Sequence, residues 1–210
     1  MPYDAAMSDA PGLRERKKTE TRVAIQQAVL FLALGRGLDA VTADEIAAAA
    51  NVSVRTFHNY FGSKEEALVA AWVSEFRVHV EALRDRPADE PILDALEHVF
   101  GEIASRIGER PGEAESHADL LWTSMAMARH RSVLLDEAIR MVTKVVAART
   151  GTDSATDMYP HLVTAAAIAA MVTAYQFTPA DGSAVDPGVL LEQAFALLRS
   201  GLRWGQPPPD

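Results

Sequence analysis

An all-α fold is what this sequence predicts, and three observations carry the prediction. Ala, Leu, Glu and Arg recur throughout, and these residues lose little on entering a helix. Apolar residues return at three- and four-residue spacing, with little strand-like alternation. Ser or Thr stands before several of these runs, with Glu three residues on, the pattern of a capped helix start. The expected organisation is an N-terminal three-helix unit over 13–62, joined by a long helix to a C-terminal helical bundle that completes a second unit, 63–204. Residues 1–12 and 205–210 read as disordered tails, the second because Pro207, Pro208 and Pro209 follow one another.

The elements follow in order. Ile25, Ala28, Val29 and Leu32 make one apolar face on a helix from about Arg14 to Arg36, which Gly37 ends. Thr42 and Glu45 form a capping box for a short helix to about Ala50. Ser53 caps a third, Val54 to about Phe61, and Ser63 with Glu66 opens a long fourth helix to about Asp85. Further helices are expected from Pro91 to Glu109, Glu113 to Arg129 and Ser132 to Arg149. An Ala-rich helix to about Phe177 follows, and a last one runs from Pro187 to about Trp204.

A 49% hydrophobic and 23% charged composition is that of a folded globular chain. The most apolar stretch, Leu162 to Tyr175, is too short for a bilayer, so no membrane partner is expected. The first twelve residues lack the pattern of a secretory signal, and a cytoplasmic setting is expected. With no Cys, the chain has no disulfide, thiolate zinc site or cysteine nucleophile. The six His form no i, i+4 pair, and no Ser-His-Asp order or nucleotide-binding glycine loop is discernible. No catalytic residue, metal or cofactor is therefore expected.

The formal net charge of −9 is unevenly spread. Between Leu13 and Lys64 the chain is net +3, and everything after Lys64 is net −10. A basic head on an acidic body suits nucleic-acid binding by the head alone. Within the head, two short helices joined by a tight turn have the length and caps of a helix-turn-helix, whose second helix enters the major groove of duplex DNA. Ser53, Arg55, Thr56, His58, Asn59, Tyr60 and Lys64 supply the hydroxyl, guanidinium, imidazole, amide and ammonium groups that read base edges and grip phosphates. Asn51 suits the left-handed turn position. Ile46, Ala47, Ala50, Val52, Phe57 and Phe61 are the expected packing residues. The cluster Arg14, Arg16, Lys17 and Lys18 is either a solvated tail or an arm reaching DNA.

The runs Gly37-Leu38-Asp39-Ala40-Val41-Thr42-Ala43-Asp44-Glu45-Ile46-Ala47, Val52-Ser53-Val54-Arg55-Thr56-Phe57-His58-Asn59-Tyr60-Phe61 and Ser63-Lys64-Glu65-Glu66-Ala67-Leu68 resemble the DNA-binding domain of the TetR (tetracycline-repressor-like) family. The match covers about a quarter of the chain. The resemblance implies a homodimeric repressor in which Thr42 touches a phosphate, Val54, Arg55 and Thr56 face bases, and His58, Tyr60 and Lys64 hold the backbone. His58 stands where Tyr is common, Asn51 where Gly is, and Ala33 where Phe is usual, with Phe31 on a normally polar site; altered packing of the first helix is expected.

In the body, Trp122, Met125, Met171 and Tyr175 are candidates to line a cavity for an unknown small hydrophobic effector, or else form plain core. Ala166, Ala170, Leu191, Ala194 and Leu198 are candidates for a dimer interface of the last two helices, burial within one chain being the alternative. The expected mechanism is release of a near-palindromic operator when the effector shifts the dimer, with the long fourth helix as lever. An all-α ligand-binding protein or enzyme without DNA binding remains the second reading.

Overall fold

The computed structural model describes residues 12–108, 127–177 and 186–202. All regular elements among them are helical. The first, α1 (Leu13–Arg36), stops at Gly37, whose φ of 78° lies where a side chain is strained. Its inner face buries Ile25, Gln26, Val29 and Ala33, while residues 12–20 are exposed on every side, so the first turns project beyond the core. Ala33 is fully buried, and Phe31 points outward, 74% exposed.

Then come α2 (Ala43–Ala49), α3 (Val54–Tyr60) and α4 (Lys64–Ala82), the last closing in a 3-10 turn, Leu83–Asp85. Asn51 takes φ 54° in the turn between α2 and α3, as its amide side chain suits it to do. The capping box of α2 forms in full. That of α4 forms in altered shape: Ser63 Oγ accepts the Glu66 N–H, but the Glu66 carboxylate takes the N–H of Gly62.

The body contains α5 (Ile92–Gly108), α6 (Arg131–Thr150), α7 (Tyr159–Gln176) and α8 (Pro187–Arg199). The last helix is shorter than the sequence suggests. Gly201 and Leu202 both have positive φ, and their N–H groups turn back to Leu198 O and Leu197 O, which closes the helix five residues before Trp204. The helix expected from Glu113 falls mostly outside the described residues, and its final three, Met127 to Arg129, form a turn.

Two cores hold these elements. Ile25, Val29, Leu34, Leu38, Ile46, Phe57, Phe61 and Leu68 centre the first, which also takes in Trp72 of α4 with Met127 and Leu134 from the body. Val80, Leu83, Leu96, Phe100, Val142, Val146, Ile168, Leu191 and Phe195 make the second. Burying each such side chain contributes about 1.5–3 kcal/mol. α4 therefore belongs to both, its first half to the head and its last turns to the body. No helix among the described residues is long and apolar enough to cross a membrane.

Candidate nucleic-acid interface

The reading surface is built by burying one side of α3 and leaving the other in water. Phe57 is fully buried, Phe61 follows it at the helix end, and their rings meet at 6.3 Å. Residues four apart share a helix face, so this anchor turns the opposite face outward. Arg55, His58 and Asn59 are exposed there, with Ser53 at the helix start. Val54, Thr56 and Tyr60 are half-buried, their inner parts packed on the core or the cap. Of the predicted base-facing and backbone-facing residues, Ser53 to Tyr60 thus stand together on one short helix and its cap, while Thr42 caps α2 and Lys64 opens α4.

The local chemistry of the caps uses some of these groups. Ser53 Oγ accepts the Thr56 N–H at 3.0 Å, and the two hydroxyls lie 2.8 Å apart. Thr42 Oγ1 accepts the Glu45 N–H at 3.3 Å and donates to the Glu45 carboxylate at 2.8 Å; the Thr42 N–H reaches the same carboxylate at 2.9 Å. Arg36 pairs with the other oxygen of Glu45 at 2.7 Å. The Thr42 backbone N–H, then the Arg36 guanidinium, hold the Glu45 carboxyl far below its ordinary value, at about 2.

Lys64 departs from its expected posture. Its Nζ donates to Leu38 O at 2.8 Å, Val41 O at 2.9 Å and, at longer range, Asp39 O at 3.4 Å. The ammonium is turned onto the loop between α1 and α2, away from open solvent.

Sequence reasoning passed over three further groups, two in the head and one in the body. Arg22 sits 4.6 Å above the Phe61 ring, a cation–π contact between α1 and the end of α3. Gln26, buried on the inner face of α1, donates Nε2 to Ala70 O at 2.9 Å and Ser74 Oγ at 3.2 Å, fastening α1 to α4. Arg149, at the end of α6, donates to Arg86 O at 2.9 Å, to Leu83 O at 3.3 Å, and also to Pro87 O. Only Gln26 left a signal in the sequence, as a polar residue on an otherwise apolar stripe.

In the body, Met171 and Tyr175 are half-buried against the second core, and the Tyr175 hydroxyl is buried without a hydrogen-bond partner among the described residues. Burial, then the nearby Asp186 carboxylate, push that phenol well above its ordinary value. Trp122 and Met125 lie outside the described residues. Of the interface candidates, Ala170 and Leu191 need correcting. Both are buried within the chain's own core, because the apolar residues of α7 and α8 run around more than one face and these two point inward. Ala194 and Leu198 pack partly on the same core, and Ala166 is half-buried. The outward stripes instead carry Leu162, Ala165 and Ala169 on α7 and Val189, Ala196 and Leu197 on α8.

Known proteins place this geometry. Residues 31–71 match the family described as bacterial regulatory proteins, tetR family, and residues 90–203 match the MftR C-terminal domain. The HTH-type transcriptional regulator TcmR of Streptomyces glaucescens is 31% identical over 218 positions, which span 98% of this chain and 96% of that protein. Among solved structures, FadR of Thermus thermophilus, a TetR-family repressor in complex with lauroyl-CoA, superposes with a TM-score of 0.54 at 22% identity, covering 90% of this chain and 98% of its own. RolR in complex with resorcinol gives 0.55 at 20% identity, covering 94% and 99%. The all-helical fold and its helix-turn-helix head define a DNA-binding transcriptional regulator and not an enzyme. The chain belongs to the TetR family.

Proposed function

We propose that the protein is a homodimeric, effector-released repressor of the cytoplasm that reads a near-palindromic operator through α3. The observation that carries this reading is the exposed polar face of α3, Arg55, His58 and Asn59, held outward by the fully buried Phe57. Val54, Arg55 and Thr56 face base edges; Thr42, Ser53, Asn59, His58 and Tyr60 serve the backbone. The exposed first turns of α1, with Arg14, Arg16, Lys17 and Lys18, add phosphate contacts as a helical arm. Residues 13–62 are the reading unit and 63–204 the effector and dimerisation unit.

The dimer seam uses the outward stripes of α7 and α8, where Leu162 and Leu197 are 62% and 49% exposed. Two-fold pairing there presents two recognition helices to successive major grooves. The effector is a small, largely apolar molecule bound in the body beside Met171 and Tyr175. FadR of Thermus thermophilus holds lauroyl-CoA and RolR holds resorcinol, which supports a body of this fold built around a ligand with an apolar part, an acyl chain in one and an aromatic ring in the other.

Selection of bound fragments from a random duplex library, at two salt concentrations, tests the reading. A two-fold symmetric motif whose recovery falls at the higher salt is the expected result. No enrichment at either salt overturns it, and the all-α ligand-binding protein without DNA binding would take its place.

A further inference from the structure

The start of α4 presents an electrostatic oddity. Lys64 is the first residue of that helix, where the positive end of the helix dipole disfavours a cation. Glu65 and Glu66 share the turn and offset part of this. The rest of the compensation is geometric: the ammonium folds back over the chain that links α1 to α2. There, Leu38 to Val41 form a turn, the Val41 N–H donating to Leu38 O at 3.1 Å. The side chains of Leu38 and Val41 are buried, and their carbonyls converge on Lys64 Nζ. An ammonium has three N–H donors. The carbonyls of Leu38, Val41 and Asp39 supply three acceptors, so a DNA phosphate would have to displace contacts already made.

The turn so pinned leads directly into Thr42, the N-cap of α2, and α2 packs on α3. Gly37 at one end and the Arg36–Glu45–Thr42 network at the other hold the same segment. Lys64 closes this frame from the side of α4. We propose that Lys64 is a positioning residue: it sets the orientation of α2, and through it of the recognition helix, by gripping the carbonyls of the α1–α2 turn, and it makes no phosphate contact of its own. The assignment rests on α3 being the DNA reader, and it places a joint between α4 and the reading helices at one side chain.

Salt dependence separates the two roles, because a cation that neutralises a phosphate releases a counterion and a cation bound to carbonyls does not. Wild-type protein, Lys64→Met and Lys64→Arg are titrated with a selected operator duplex across a salt series, with thermal unfolding measured on each. For Lys64→Met the expected result is operator affinity about ten-fold weaker, the size of effect that follows from losing one charge-assisted hydrogen-bond set, with an unchanged slope of log affinity against log salt. Lys64→Arg keeps the charge but is longer and planar, and cannot place its donors on the same carbonyls; its affinity is expected to fall several-fold as well. A slope shallower by about 0.9 for Lys64→Met, with Lys64→Arg near wild type, overturns the proposal in favour of a phosphate contact. Lower melting temperatures with unchanged affinity overturn it in favour of a purely structural role. Should Lys64→Met fail to fold, the charge-conserving variant still decides between the first two. Wild-type protein that selects no duplex would refute the DNA-reading role of α3 and overturn with it the proposal that Lys64 positions a reader.

Discussion

Single side chains in the head divide into those exposed on the outer face of α3 and those that hold that helix still. Arg55 is exposed near the start of α3, where a guanidinium can address a base edge with two parallel hydrogen bonds. Arg55→Ala should cost about 1–3 kcal/mol in operator affinity and flatten the preference at one base position in each half-site, as competition against singly substituted duplexes would reveal. Glu45 belongs to the second group. It is held ionised by the Thr42 N–H and the Arg36 guanidinium, with its folded-state value near 2 against an ordinary 4.5. A depressed carboxyl stabilises the fold above its unfolded value, and that contribution is lost as pH falls through the folded one. Glu45→Gln should therefore lower the melting temperature at neutral pH. The gap to wild type should close between about pH 4.5 and pH 2, which a series of melts across that range would follow.

Elements are joined mainly along α4. Gln26 ties its middle to α1, and Arg77 on its outer side pairs with Glu137 of α6 at 3.7 Å. Its body end is clamped by Arg149, whose side chain is 9% exposed; the neighbouring Glu90 carboxylate also takes Arg86. α6 thus lies along α4, with Leu134 in the head core at one end and Arg149 on the 3-10 turn at the other. A shift of α4 that frees the operator has to carry α6 with it or break this clamp. Arg149→Met should destabilise the fold by about 3 kcal/mol, since several carbonyls and Glu90 lose a buried partner. At a temperature where the variant is folded, operator affinity should survive while its loss on effector addition shrinks, which fluorescence anisotropy would measure. None of this clamp was legible in the sequence, because Arg149 and Leu83 are 66 residues apart and no local pattern links them. The caps were legible for the opposite reason: Thr42, Ser53 and Ser63 bond to N–H groups three residues on, within one turn. Lys64 shows the boundary between the two cases. Its charge and place in the motif could be read, but the direction in which it points depends on a turn more than twenty residues earlier.

For the whole molecule, the net +3 of the head and the −10 carried by the residues after Lys64 orient the approach to DNA, since the polyanion attracts one end and repels the other. That polarity was plain in the composition. Which face of α7 turns inward was not, because α7 is apolar around most of its circumference: Ala170 and Ala174 face the core while Leu162 and Ala169 face water, and residue types alone do not separate them. Burial separates them. Val189 and Leu197 of α8 are likewise solvent-facing, 44% and 49% exposed, and α7 and α8 pack on each other. Pairing this face with its own copy removes the large side chains from water together, and a carboxylate set into such a seam has no partner to offset its desolvation. Leu162→Glu and Leu197→Glu should each therefore give a folded monomer in sedimentation, because both positions are solvent-facing in the single chain. A monomer reaches only one half-site at a time and forfeits the effective concentration of the second reader. Operator affinity should accordingly fall by about 10² to 10⁴, with the affinity for an isolated half-site unchanged. Dimers that persist in both variants would move the seam elsewhere on the body. Monomers that hold full operator affinity would break the link between two-fold assembly and operator reading.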